Sequence, residues 1–171
     1  MKLICSKNEL LKSVNISLKA VPSKTTMPRL ECILIDASAA EIKFTTNDME
    51  LGIETKVTGM ILEKGVVALD ARLFSEIIRK LPDNDVTIET DDKLNTTITC
   101  EKAKFSIPGR SGEDFAYLPV IEKNEGITLS QFTLKEVIRQ TIFSIAANEN
   151  NKLMTGELFE IKGDTLKVVS L

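Results

Sequence analysis

The sequence predicts an α+β fold of repeated units, each with a strand, a helix and a meander of antiparallel strands, and with the helices on one face of the sheets. Three observations predict it: a repeat of helix starts, an apolar stripe on each helix, and short alternating runs between the helices. The predicted starts at Ser6, Asp70 and Thr133 are 64 and then 63 residues apart. Units that recur at a fixed period seldom bury their own apolar faces alone, so we expect them to pack together.

The predicted helix starts carry residues that cap helices. Ser6 with Glu9, and Thr133 with Glu136, match the capping box, in which a hydroxyl accepts from a backbone N–H and the glutamate reaches back to the cap residue. Asp70 caps the middle helix without such a partner. An offset of 127 residues aligns the first and third helices, which predicts that they are copies of one unit.

Periodicity defines the remaining elements. Apolar residues at helical spacing predict three amphipathic helices. Their stripes are Leu10, Leu11, Val14 and Leu18; Ala71, Phe74, Ile77, Ile78 and Leu81; and Leu134, Val137, Ile138, Ile142 and Ile145. Alternating apolar and polar residues between the helices predict half-buried antiparallel strands. These strands are predicted at 30–36, 41–46, 51–57, 66–69, 86–89, 96–100 and 104–107.

The repeat predicts one complete domain and part of another. Two units form a first domain over residues 1–119, a polar segment over 120–126 suits a linker, and residues 127–171 begin an incomplete second domain. The third unit breaks off before a second domain is complete.

Composition argues against most catalytic and metal-dependent functions. The chain has no histidine, so the most frequent general base and metal ligand is absent. Cys5, Cys32 and Cys100 lack the paired spacing of metal sites, which predicts reduced cysteines in strands. We therefore expect no catalytic residues, metal or cofactor. No apolar run approaches the roughly 20 residues of a membrane-spanning helix, so we expect a cytoplasmic protein that does not enter membranes.

Basic residues recur on the polar side of every predicted helix. They are Lys12 and Lys19, Arg72 and Arg79, and Lys135 and Arg139, and Lys24 lies in a loop between prolines. Such a surface suits the DNA backbone, because lysine and arginine neutralise phosphates without reading sequence. The alternative is an ordinary solvated helix face, since Glu9, Glu76 and Glu136 dilute the stripes.

Five segments resemble the bacterial DNA polymerase III beta subunit family, the replicative sliding clamps. They follow the order of the family along the whole chain: KLICSKNELLKSV, PSKTTMPRLECILI, VVALDARLFSEIIRKLPD, FSIPGRSGEDFAYLP and GELFEIKGDTLKVVSL. The resemblance implies the DNA-clamp fold and a homodimeric ring of three domains per subunit around duplex DNA. Since this chain offers one such domain and part of a second, we expect it to be a portion of a longer natural product; the alternative is a stand-alone truncated paralogue. It also implies a non-catalytic processivity factor whose partners are the polymerase III catalytic subunit and the clamp loader.

The resemblance also implies roles for individual residues. Lys12, Lys19, Lys24, Arg72, Arg79, Lys135 and Arg139 match DNA-contacting positions of the family, and Asn148 and Lys152 fall where the family touches DNA. Leu73, Lys102 and Lys104 match the subunit contact, although lysines on an edge strand also prevent aggregation. Met154 and Leu171 match the peptide-binding groove.

Two other functions remain possible from the sequence. One is a clamp-like module that docks proteins without encircling DNA. The other is a small-molecule enzyme on an α+β scaffold, which would require a convergent polar cluster in a pocket. The missing histidine and the lack of a nucleophile motif argue against the enzyme.

Overall fold

The computed structural model describes residues 1–119, 126–147 and 151–170, and of Asp114 and Lys152 it describes the backbone only. The chain divides into two compact units, Met1–Val120 and Ile121–Leu171. Most of the predicted linker lies outside the described residues.

Two helices form in the first unit, where the capping residues predicted them. α1 (Lys7–Ser17) follows Ser6, whose Oγ accepts from the Glu9 backbone N–H at 3.3 Å. α2 (Ala71–Lys80) follows Asp70, whose carboxylate accepts from the Leu73 N–H at 2.7 Å. These bonds satisfy donors that the first turn of a helix leaves free. Both predicted cap residues are confirmed.

Nine strands of the first unit form two antiparallel sheets. They are β1 (Lys2–Ser6), β2 (Cys32–Asp36), β3 (Ile42–Asn47), β4 (Gly52–Val57), β5 (Met60–Glu63), β6 (Val66–Asp70), β7 (Asp85–Thr90), β8 (Asn95–Cys100) and β9 (Ala103–Pro108). The five-stranded sheet has the order β5-β1-β7-β8-β9, and the four-stranded sheet has the order β4-β3-β2-β6.

The strand before each helix pairs with the meander that follows the other helix. β1 precedes α1 but pairs with β7, with Leu3 opposite Ile88. β6 precedes α2 but pairs with β2, with Leu69 opposite Ile33. Each repeat therefore contributes one strand to the sheet formed mainly by the other repeat. Neither repeat has all of its backbone partners alone, so the two repeats form one domain.

One core lies between the helices and both sheets. Leu10, Phe44, Phe74, Ile88 and Ile98 are fully buried within it. The Phe44 and Phe74 rings meet edge to face, with centroids 6.0 Å apart. Because α1 and α2 also pack on each other, their buried sides are fixed and their polar sides face solvent.

The second unit has one α-helix and a hairpin among its described residues. α3 (Gln131–Thr141) is followed by β10 (Leu158–Lys162) and β11 (Thr165–Val169), which pair with each other. The prediction that Thr133 caps α3 is wrong. Ser130 is the cap, since its Oγ accepts from the Thr133 N–H at 3.0 Å. Thr133 lies inside the first turn, where its own hydroxyl contacts Ser130 Oγ at 2.8 Å.

Candidate nucleic-acid interface

α1 presents two lysines because its other side is buried. Leu10, Val14 and Ser17 are inaccessible to solvent, and residues at this spacing share one side of a helix. Lys12 lies on the opposite side, and Lys19 follows in the short 3₁₀ turn that extends the helix. Both lysines are exposed, as the spacing predicted.

α2 presents two arginines in the same way. Phe74 and Ile78 are fully buried, whereas Arg72 and Arg79 are exposed. Arg79 lies in the last turn, where a cation interacts favourably with the negative end of the helix dipole. Exposed Glu76 lies between the arginines and reduces the positive potential of this face.

Arg72 also holds the loop that carries Lys24. Its Nη2 donates to the carbonyl oxygens of Pro22 and Ser23, at 2.7 and 3.0 Å. Within the loop, Thr25 Oγ1 accepts from the Met27 N–H at 3.0 Å. The exposed lysine is thereby attached to the helix by its neighbours. No local sequence pattern predicts this contact, because Arg72 and Pro22 are 50 residues apart.

The basic residues of α3 belong to the second unit and are described by themselves. Lys135 and Arg139 are both exposed. Arg139 makes a forked ion pair with Glu136, with Nε–Oε1 and Nη2–Oε2 distances of 3.2 and 2.9 Å. Its charge is therefore partly compensated. Asn148 lies outside the described residues, as does the side chain of Lys152.

The predicted subunit contact lies at one edge of the five-stranded sheet. β9 is the edge strand, and Lys104 on it and Lys102 before it are exposed. Leu73 of α2 is 42% exposed and borders a groove of about 330 Å³ with Ile77, Phe105 and Ile107. Phe105 did not figure among the predicted contact residues, although it is 38% exposed on this strand. An unpaired edge beside apolar side chains can accept another strand.

Only one residue of the predicted peptide groove falls within the described part of the chain. Met154 is half-buried in a short 3₁₀ turn, and its carbonyl accepts from the Ala146 N–H at 2.9 Å. Leu171 lies outside the described residues.

The cysteines lie in the first unit with buried, unoxidised thiols. Burial, with smaller contributions from Asp85 and Glu9, raises the pKa of the Cys5 thiol to about 11. Burial is also the main cause of the raised pKa values of Cys32 and Cys100. Since the thiolate is the nucleophilic form, these positions suit packing better than nucleophilic chemistry at neutral pH.

Among the side chains that the structure describes, no group of three or more cysteine, aspartate or glutamate residues could hold a metal ion. No helix in this described part of the chain is long and apolar enough to cross a lipid bilayer.

Comparison with known proteins assigns residues 1–119 to a family described as the DNA polymerase III beta subunit, N-terminal domain. The beta sliding clamp of Bacillus subtilis is 36% identical over 97% of this chain, and that of a Synechocystis strain is 33% identical over 98%. The chain spans 46% and 45% of those relatives, which is less than half of their length.

Solved structures agree with these relatives. A protein from Eubacterium rectale assigned as a DNA polymerase III beta subunit is 72% identical, with a TM-score of 0.91, over all of this chain and 46% of that one. The DNA polymerase sliding clamp of Bacillus subtilis is 34% identical, with a TM-score of 0.89, over 99% of this chain and 47% of that one. The predicted α+β clamp fold is thus confirmed.

Proposed function

The chain belongs to the DNA polymerase III beta subunit family, and on that premise we propose that it supplies the amino-terminal portion of a sliding clamp. In this proposal the complete protein is a homodimeric ring around duplex DNA. It holds the replicative polymerase on its template as a processivity factor and catalyses no reaction itself. Its partners are the polymerase catalytic subunit and the clamp loader.

The observation that carries the proposal is the arrangement of cations on the first unit. Lys12, Arg72 and Arg79 are exposed on helices whose apolar sides are buried, and Lys24 is exposed on a loop attached to one of these helices. Such dispersed charges attract phosphates without reading base edges. A ring that slides needs this diffuse attraction, because tight local contacts would oppose movement along DNA.

The edge of the five-stranded sheet is the proposed subunit contact. A strand of a second copy would pair with β9, while Leu73 and the neighbouring groove would receive apolar side chains. Lys102 and Lys104 would lie at the rim, where charges affect the rate of association more than affinity. Met154 and Leu171 would contribute to a groove for peptides of the polymerase and the loader.

Retention on DNA of different topology tests this function. The full-length natural protein is loaded by its clamp loader onto closed circular DNA, and the same DNA is then linearised. Encirclement predicts retention on the circle and loss from the open ends. Equal retention on both would indicate ordinary electrostatic binding and would contradict the proposal.

Charge reversal tests the proposed DNA-binding residues. Lys24→Glu, Arg72→Glu and Arg139→Glu in the full-length protein should each weaken loading on DNA and reduce its salt dependence, with little loss of stability. Lys93→Glu is the matched control, since this exposed lysine lies in the β7–β8 turn, away from α1 and α2. A protein-docking module that does not encircle DNA would keep its activity in every one of these variants.

A further inference from the structure

A pocket in the first unit contains two arginines to which the proposed function gives no role. It has a volume of about 590 Å³ and lies between the loop that enters β2 and the loop that leaves β9. Its principal lining residues are Met27, Pro28, Arg29, Arg110, Glu113 and Phe115. We call it the arginine pocket.

Backbone hydrogen bonds hold one wall of the arginine pocket. Arg110 exchanges two of them with Ala68 of β6, at 2.8 and 3.0 Å. Gly112 fits closely behind this wall, because a Cβ there would lie 2.5 Å from Val66 Cγ1. Ser111 Oγ accepts from the Glu113 N–H at 3.2 Å. The loop after β9 is therefore attached to the edge of the four-stranded sheet.

The opposite wall is also held locally. The Leu30 N–H donates to the Met27 carbonyl at 3.0 Å, which closes the turn that carries Arg29. The Cys32 thiol lies 3.7 Å from the Pro28 carbonyl oxygen. With both walls attached, the backbone of the pocket needs little reorganisation when a ligand binds, which lowers the ordering cost of binding.

The charges in the arginine pocket favour an anion. Arg29 and Arg110 are both exposed and line the same pocket, so an anion held there can pair with both guanidinium groups. Among the described side chains, none forms an ion pair with either arginine. Glu113 lies at the same pocket and is exposed, so a ligand with many closely spaced negative charges would be repelled at one side.

We propose that the arginine pocket binds an acidic peptide segment, with one carboxylate side chain between the two guanidinium groups and an apolar neighbour against the wall. A guanidinium donates two parallel hydrogen bonds to a carboxylate, and this geometry is both strong and directional. Met27, which is 40% exposed, and the exposed Pro28 supply the apolar contact. Phe115 is buried and packs edge to face on Tyr117, with ring centroids 5.8 Å apart. The proposal does not depend on DNA encirclement.

A titration of the full chain with matched peptides tests the proposal. The probe is a capped pentapeptide with one aspartate between two leucines, and the control has asparagine in place of aspartate. Nuclear magnetic resonance follows the side-chain Nε–Hε signals of Arg29 and Arg110. We expect both signals to shift with the aspartate peptide and to stay unchanged with the asparagine peptide.

Substitutions sharpen the test. Arg29→Gln and Arg110→Gln should each weaken binding of the aspartate peptide about tenfold, because a charge-assisted pair is lost. Glu113→Gln should tighten binding, since it removes the like charge, and Lys93→Gln should leave it unchanged. All four positions are exposed, and unchanged backbone spectra of the free variants establish that they fold.

Three results would overturn the proposal. Equal shifts with both peptides would mean that the carboxylate is not recognised. Shifts with inorganic phosphate but not with the peptide would mean a site for small anions only. Tighter binding of a short DNA duplex to the same two arginines, weakened by the same substitutions, would assign the pocket to the DNA backbone.

Discussion

α1 with its hairpin β2–β3, and α3 with its hairpin β10–β11, are two versions of one local structure. Each helix has 11 residues and continues into a three-residue 3₁₀ turn. The offset between the two copies is 124 residues, so the predicted offset of 127 is wrong by the three residues that separate Ser130 from Thr133. Adding 124 to the residue numbers of the Leu34–Thr45 strand pair leads to Leu158 and Val169, which are also paired. The same offset relates the bond from Thr46 Oγ1 to the Ser17 carbonyl and the bond from Ser170 Oγ to the Thr141 carbonyl.

The two copies differ in how deeply their apolar side chains are buried. Leu10 and Val14 of α1 are inaccessible to solvent, whereas Leu134 of α3 is 37% exposed and the described part of that helix contains no buried side chain. In the first unit, α2 and the five-stranded sheet cover the apolar side chains of α1 and of its hairpin. A segment of about 40 residues is therefore enough to form the helix cap and to set the register of the hairpin. A buried core requires a second repeat that packs against the first.

Removal of a phenyl ring should lower stability far more in the first unit than in the second. Phe74→Ala leaves a cavity against Phe44 in the core, and we expect it to lower the free energy of unfolding by about 3–5 kcal/mol. Phe143→Ala removes a ring that is 83% exposed, and the expected change is within about 0.5 kcal/mol. Urea unfolding followed by circular dichroism measures both. Similar losses in the two variants would mean that Phe143 is buried in solution.

Removal of the cap hydroxyl should destabilise α1 and α3 by similar amounts, because a helix cap acts only on the first turn of its own helix. Ser6→Ala and Ser130→Ala should each lower stability by about 1 kcal/mol. The control is Thr133→Ala, which keeps the Ser130 cap and should cost less. Far-ultraviolet circular dichroism and hydrogen exchange of the Glu9 and Thr133 amides measure these effects. A larger loss from Thr133→Ala than from Ser130→Ala would restore Thr133 as the cap.

The equivalent hydroxyls at the ends of α1 and α3 should respond with opposite signs. Ser17 Oγ is buried and has no hydrogen-bond partner among the described residues, so Ser17→Ala should raise stability by about 1 kcal/mol. Thr141 Oγ1 donates to Glu157 Oε1 at 2.8 Å, so Thr141→Val should lower it by a similar amount. Unfolding in urea gives both values. A destabilised Ser17→Ala variant would show that this hydroxyl is satisfied in solution.

The smallest expected effect is a difference between Arg72 and Arg139, which occupy similar positions in the sequence pattern of their helices. Arg72→Lys keeps the charge but loses the fork to the Pro22 and Ser23 carbonyls, so we expect faster hydrogen exchange in the loop around Lys24. Arg139→Lys keeps a cation beside Glu136 and loses only the two-nitrogen geometry of an exposed ion pair, a change of a few tenths of a kcal/mol. Hydrogen exchange without DNA measures this. Unchanged exchange in the loop of Arg72→Lys would contradict the anchoring role of Arg72.

The candidate site was only partly predictable. The exposure of Lys12, Arg72 and Arg79 follows from helical spacing, because a helix that buries one side exposes the other. The cap of α3 was placed wrongly since two hydroxyl residues, Ser130 and Thr133, lie three positions apart and both suit the role. No local sequence pattern predicts the arginine pocket, because Arg29 and Arg110 are far apart in sequence and line one pocket only where β2, β6 and the loop after β9 come together.

The amino-acid sequence alone determined the α+β class, the caps of α1 and α2, the apolar stripes and most strands, because each depends on residues a few positions apart. It also contained the segments that identify the family. Folding in three dimensions decided which strands pair, since β1 and β6 cross to the sheet of the other repeat. It likewise decided that Arg72 holds the Lys24 loop. These contacts join distant residues whose pairing depends on the packed core, and no local pattern records them.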